Sequence, residues 1–139
     1  MSIHQRPRTD EPAEAECLFC SVLELRNRRF LAQNDSFVAM EDQFPVNPGH
    51  TLLIPKRHVS KFTDLQDNEL LDFGRILRET QKLIASQSLV DGFNIGVNEG
   101  IAAGQTIEHL HIHLIPRFTG DVENPRGGVR NLKTALVEY

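Results

Sequence analysis

Residues 107–117 read Ile-Glu-His-Leu-His-Ile-His-Leu-Ile-Pro-Arg, so three of the chain's six histidines stand at alternate positions within five residues. A period of two puts His109, His111 and His113 on one face of an extended segment and Leu110, Ile112 and Leu114 on the other. One face packs, and the other carries imidazoles able to serve as nucleophile, proton carrier or metal ligand. A single histidine on the polar face of a half-buried strand needs no explanation; three in strict alternation do. At roughly 3.3 Å per residue, the α-carbons of His109 and His113 lie about 13 Å apart, too far for both rings to reach one ion over bonds of about 2 Å. At most one adjacent pair can share a metal, which leaves at least one histidine for other chemistry. The central His111, flanked on both sides by potential helpers, fits a nucleophile or proton carrier.

Cys17 and Cys20 are the whole thiol inventory, spaced Cys-Leu-Phe-Cys. In a reducing compartment that spacing is half a metal site or a redox pair. A thioredoxin-like motif wants a strand before it, and here only the polar segment Thr9 to Glu16 precedes. Half a zinc site needs two further ligands, and the chain has histidines to offer.

The elements that must position these residues follow from periodicity. Residues 1–15, rich in Pro, Arg and Glu, form a mobile tail. Leu18, Val22 and Leu25 recur at helical spacing within 17–27, giving a short helix. Residues 30–33 and 37–41 form a hairpin around Asn34-Asp35-Ser36. Pro45, Pro48 and Gly49 break regular structure before a buried strand over 50–54, which Pro55 ends. The long helix spans 64–88, with Leu70, Phe73, Leu77, Thr80 and Ile84 on one face and Asp64, Asp67 and Glu69 complementing its macrodipole. After an Asp91-Gly92 turn, Phe93, Ile95 and Val97 alternate in a fourth strand. A glycine-bearing loop over 99–106 leads to the histidine strand, and an irregular tail begins at about 118. Five strands and two helices without βαβ alternation specify a single antiparallel α+β domain over 16–139.

Composition narrows the partners. The chain has 139 residues, 40% of them hydrophobic and 24% charged, enough to bury one core. A net charge of −4 and a pI near 5.8 argue against nucleic-acid binding, which favours a basic face. Any anionic ligand is therefore held locally. No apolar run approaches the roughly 20 residues that span a bilayer, and no apolar signal-peptide core follows the N-terminus, which points to the cytoplasm and to no membrane partner.

The pattern His-x-His-x-His-x-x, with apolar residues at x, from His109 to Ile115 resembles the histidine triad (HIT) superfamily, and within it the diadenosine tetraphosphate hydrolases and fragile histidine triad proteins. Supporting segments match in order: Cys17-Leu18-Phe19-Cys20, Pro48-Gly49-His50-Thr51-Leu52, Pro55-Lys56-Arg57-His58, Asn98-Glu99-Gly100 and Gly104-Gln105-Thr106. The resemblance implies the HIT fold, a homodimer whose sheets pair across a two-fold axis, and nucleotidyl transfer to water or another acceptor through a covalent histidine intermediate. It makes His111 the nucleophile, its tautomer fixed by a neighbouring backbone carbonyl, and His113 the donor to phosphate or bridging oxygens. His50 sits behind them as an orienting residue. Asn98, Gln105 and Thr106 supply uncharged donors around the phosphate, Leu18, Phe19 and Val22 pack on the base, and Asp42 accepts from the ribose hydroxyls. It also implies a structural zinc held by Cys17, Cys20, His58 and His109, with no organic cofactor. Closed tetrahedral sites of this kind are structural rather than catalytic.

The expected activity is hydrolysis of dinucleoside polyphosphates or related nucleotide conjugates at the α-phosphate. Alternatives are a phosphoramidase or nucleotidyltransferase of the same superfamily, or a nucleotide-binding interaction protein with incidental turnover. A metal-dependent hydrolase using His111 and His113 as an open site is weakened by the lack of a nearby carboxylate on that face. Arg126 and Arg130, beside Gly127-Gly128, are expected to hold the leaving-group phosphates bidentately, from the same chain or from its dimer mate.

Overall fold

The computed structural model describes residues 17–25 and 29–133. The expected mobile tail over 1–15 and residues 26–28 and 134–139 lie outside the described residues, while the first helix, expected over 17–27, already ends at Leu23 with Glu24 as its C-cap. In chain order the elements are α1 (Leu18–Leu23), β1 (Ala32–Gln33), β2 (Phe37–Glu41), β3 (Thr51–Pro55), α2 (Asp67–Gln87), β4 (Gly92–Val97) and β5 (Ile112–Arg117). The strands form one antiparallel sheet in the order β1-β2-β3-β5-β4. This is the expected α+β architecture of five strands with one short and one long helix.

Both faces of the central strands are covered, which is why the runs 37–40 of β2 and 52–55 of β3 are continuously apolar rather than alternating. Phe37, Ala39, Leu53, Leu110 and Ile112 pack with Ile76 of α2 on one face. Val38, Met40, Leu52 and Ile54 pack with Cys17 and Phe19 at α1 on the other. The histidines belong to the α1 face, because His113 stands opposite Leu52 in the register.

Beyond shifts of one or two residues in β1 and β3, three boundaries differ from the expectation. The long helix starts at Asp67 rather than 64, where the Glu69 carboxylate folds back to accept from the Gln66 backbone N–H at 2.9 Å and from Arg57 at 2.7 Å. Gly92 pairs with Arg117 inside β4 instead of turning the chain. The histidine strand joins the sheet only at Ile112, not at 107. Leu53↔Ile112 is the last pairing to β3, because Pro55 has no N–H to extend the ladder and its carbonyl accepts from the His109 ring at 2.7 Å. His109, Leu110 and His111 therefore leave the sheet, held by the Leu110 N–H donating to the Val59 carbonyl at 2.6 Å. Both His109 and His111 are buried, so the chemical face is covered rather than open. The tail contains one short helical turn, Gly128–Arg130, packed on β4.

Candidate functional site

His111 and His113 reach a cavity of about 410 Å³ between α1, the 42–46 segment and the end of the 98–107 loop. His111 Nδ1 lies 2.8 Å from the His109 carbonyl. A carbonyl only accepts, so Nδ1 carries the proton and Nε2 keeps its lone pair. The His111 ring is held between Phe19, whose centroid is 5.0 Å away, and His113 at 5.3 Å.

His113 has the opposite polarity, and its tautomer follows from a chain of partners. The Val46 backbone N–H donates to His50 Nδ1 at 3.0 Å, so His50 carries its proton on Nε2. That nitrogen lies 2.9 Å from His113 Nδ1, which must accept, leaving the His113 proton on Nε2. One ring thus offers a lone pair and its neighbour an N–H. Burial first, then the neighbouring His111 and His50, push the His113 pKa down to about 4, so this donor is neutral at ordinary pH. Burial also lowers His50 despite Asp42 Oδ2 at 3.4 Å, a carboxylate that favours the charged form.

Asp42 is itself fixed by accepting from the Phe44 N–H at 2.8 Å. Its presence beside His50 corrects the expectation that a carboxylate is lacking near the face that carries His111 and His113. Asp42, His50 and His113 could by proximity hold a metal. The hydrogen bonds argue otherwise: His50 Nδ1 and His113 Nδ1 already accept protons, so the lone pairs that would ligate are in use.

Leu18, Phe19, Val22, Asp42, Asn98 and Thr106 all line the cavity with His50, His111 and His113. Gln105 does not. Its Oε1 accepts from the Gly100 N–H at 2.8 Å and its Nε2 donates to the Ile107 carbonyl at 3.1 Å, so the side chain braces the loop and borders a neighbouring cavity. Gly104 makes the bend before it at φ +93°, a left-handed conformation that suits glycine. Arg126 and Arg130 do not line the histidine cavity of their own chain, and both are exposed. Arg117 is committed elsewhere, donating to both Asp121 carboxylate oxygens at 2.7 and 2.8 Å and to Asn94 at 2.7 Å.

Sequence reasoning missed Met40 and Ile107 in the cavity wall. Both were available by alternation, Met40 from Val38 and Ile107 from His109. Gln43, Phe44 and Val46 had no such signal, because they sit in a segment broken by proline.

Behind His111, the Cys17, Cys20, His58 and His109 donor atoms all lie within 4.8 Å of one another. The Cys20 sulfur is 3.2 Å from His58 Nδ1, and the Cys17 and Cys20 sulfurs are 3.4 and 3.5 Å from His109 Nδ1. Bonds of about 2.0–2.3 Å in a tetrahedron require ligand separations of about 3.3–3.8 Å, so the cluster fits an ion of that size with little movement. His109 donates its Nε2 proton to Pro55, which turns the Nδ1 lone pair toward the sulfurs, as metal-bound histidines require. The four residues named from the sequence are thus brought together.

Residues 26–120 match the family model described as HIT domain. An uncharacterized HIT-like protein of Methanocaldococcus jannaschii is 35% identical over 84% of this chain and 91% of its own length. An asymmetrical bis(5'-nucleosyl)-tetraphosphatase of Schizosaccharomyces pombe is 42% identical over 55% of this chain, which spans only 42% of that enzyme. Among solved structures, a Zn-bound histidine triad family protein from Mycobacterium smegmatis superimposes with a TM-score of 0.68 at 31% identity, covering 78% of this chain and 80% of that one.

Proposed function

The chain belongs to the HIT domain family, and on that premise we propose that it hydrolyses dinucleoside polyphosphates or related nucleotide conjugates by way of a nucleotidyl-His111 intermediate. The observation that carries this reading is the pair of opposed tautomers, with the His111 Nε2 lone pair beside the His113 Nε2 proton. A site for binding alone has no need of an open ring nitrogen next to a ring N–H donor.

In the first step His111 Nε2 forms a bond to the α-phosphorus while the bond from phosphorus to the leaving-group oxygen breaks. His113 donates its Nε2 hydrogen bond as charge develops on the phosphate and the departing oxygen. The His109 carbonyl steadies the cation that forms on His111 by holding its Nδ1 proton. Water then adds to phosphorus, one of its protons passing to solvent, while the P–N bond breaks and its electron pair returns to His111 Nε2 as the lone pair. Asn98 and Thr106 are the uncharged donors for the phosphate, Leu18, Phe19 and Val22 the apolar wall for the base, and Asp42 the acceptor for ribose hydroxyls. Gln105 acts by bracing the loop that presents Thr106.

Cys17, Cys20, His58 and His109 hold a structural zinc in this reading. With all four positions filled by protein, the metal ties α1 to the histidine segment and activates no water. We also propose a homodimer formed at β4. That strand is a sheet edge with Ile95 and Val97 partly exposed, an edge that soluble proteins pair or protect. Light scattering should find twice the chain mass, and Ile95→Lys should reduce it.

The test of the reaction is turnover on a panel of dinucleoside polyphosphates, adenosine phosphoramidates and nucleotide sugars, with mass spectrometry of acid-sensitive nucleotidyl-His111 after rapid quenching. No turnover on any of the panel above that of His111→Ala protein would leave a nucleotide-binding module instead.

A further inference from the structure

The cysteines of the metal cluster bracket residues that wall the cavity. Leu18 and Phe19 lie between Cys17 and Cys20, Val22 follows within the same helix, and all three line the cavity. The helix that carries them has six residues. Helices shorter than about 12–15 residues are marginal in water unless something else holds them. Among the described residues, Phe19, Val22 and Leu23 pack on the cluster of Val38, Met40, Leu52 and Ile54, and the cysteines add a second hold. Cys17 caps the helix by accepting from the Cys20 N–H at 3.5 Å, the two sulfurs reach His58 and His109, and buried Phe19 stands edge-on to His109 at 5.8 Å and to His111 at 5.0 Å. Leu18 is 57% exposed and adds little to the packing on the sheet.

His109 closes the circuit from the other side. Its ring belongs to the cluster through Nδ1, and its backbone carbonyl takes the Nδ1 proton of His111. One residue thus links the metal donors to the nucleophile, while Phe19 links the same donors to the ring's orientation and to the base wall.

We infer that occupancy of the cluster and binding of nucleotide are thermodynamically coupled, with α1 as the shared element and Phe19 as its positioning residue. Zinc pins α1 so that Leu18, Phe19 and Val22 form the cavity wall; a nucleotide lodged against that wall in turn retains the zinc. Coupling of this kind is reciprocal, because both ligands favour the same docked helix. The inference rests on the zinc and nucleotide readings above and adds the link between them.

The experiment measures the affinity of adenosine monophosphate for zinc-loaded, chelator-stripped and zinc-restored protein. It also measures zinc transfer from loaded protein to a chromogenic chelator with and without saturating adenosine monophosphate. Stripping should weaken the nucleotide about 5- to 150-fold, the usual span for two coupled sites, and zinc should restore it. Bound nucleotide should slow zinc transfer at least about 5-fold. Phe19→Leu should keep its zinc yet show less of this slowing; if it slows zinc transfer as the unaltered protein does, Phe19 is not the positioning residue. Equal nucleotide affinity with and without zinc, or equal zinc transfer with and without nucleotide, overturns the inference while leaving both sites standing. Protein that binds no zinc, or loaded protein that binds no nucleotide, overturns the site readings first and the coupling with them. Should the stripped protein lose its circular dichroism, the zinc-transfer comparison, made on folded protein, decides.

Discussion

The histidine row has two ends built from the same side chain and set in opposite senses. At the cysteine end, His109 donates its Nε2 proton to Pro55 and turns Nδ1 to the sulfurs. At the cavity end, His111 donates its Nδ1 proton to the His109 carbonyl and keeps Nε2 free, while His113 accepts at Nδ1 and offers its Nε2 proton. Burial is not what separates them, since it pushes both His109 and His113 down to about 4. What separates them is which nitrogen the surrounding protein occupies, and whether with an acceptor or a donor. An imidazole's role is therefore written largely in backbone groups that the side-chain pattern does not display.

The comparison predicts that damage at the two ends differs in kind. His111→Asn should lower single-turnover hydrolysis on the order of 10⁴-fold or more, as removal of a nucleophile does, while the thermal midpoint and nucleotide affinity stay near those of the unaltered protein. Rapid-quench kinetics beside calorimetry measures both. Near-native turnover would show that the cavity end is not nucleophilic, and the contrast would collapse.

The cysteine end should fail through stability. Metal analysis of protein purified without chelator is expected to find about one zinc per chain. Cys17→Ser with Cys20→Ser, or chelation, should lower the thermal midpoint by roughly 10 °C, because several kcal/mol of metal binding are also folding free energy in a domain of this size. Scanning calorimetry checks it. An unchanged midpoint together with absent zinc would make the four donors an ordinary buried cluster.

How far this contrast was legible in the sequence depends on which atoms carry it. The alternation from Ile107 to Ile115 exposed the histidine face, and the spacing of the cysteines exposed half a metal site, because side-chain identity and period are written in the chain. The helix-covered sheet and its antiparallel strands followed from periodicity in the same way. The Pro55 carbonyl, the Val46 N–H and the His109 carbonyl, which set the tautomers, carry no residue signature, since every peptide has such groups. Gln105 was legible as a polar side chain facing a loop, but not as one whose amide is used up within that loop. The strand boundary at Ile112 escaped because it depends on Pro55 in β3, a contact 50 or more residues distant along the chain.

Acidity offers a gentler probe of the cavity end. His113 has a folded-state pKa of about 4 against an ordinary 6.5. The unfolded chain therefore binds more protons at that residue between the two values, and stability rises with pH across that window. The contribution is complete above about 6.5 and declines as pH falls toward about 4. The midpoint of unfolding should accordingly drop between pH 6.5 and 4, and His113→Asn should flatten part of the drop. A His113→Asn profile parallel to that of the unaltered protein would show that this ring is not the source.

The smallest expected effect concerns how far the cavity end extends beyond its own chain. Arg126 and Arg130 do not line the cavity, and the turn that contains Arg130 packs on β4, the edge proposed for the dimer. On the far side of Thr106 the neighbouring cavity carries Asp64, Glu99 and Glu108 against the single cation Lys61, a net negative lining that disfavours a polyphosphate tail. In the proposed dimer a leaving group of several phosphates would run toward the partner's arginines rather than past Thr106, whereas a phosphoramidate has no such tail to place. One charged hydrogen bond of about 1.5–3 kcal/mol corresponds to roughly 10- to 150-fold in specificity constant. Because the groups are exposed, the low end is expected, about 10-fold on a diadenosine tetraphosphate for Arg126→Ala with Arg130→Ala, and little change on an adenosine phosphoramidate. Equal losses on both substrates, or none on either, would make the arginines structural and confine substrate recognition to the residues of a single protomer.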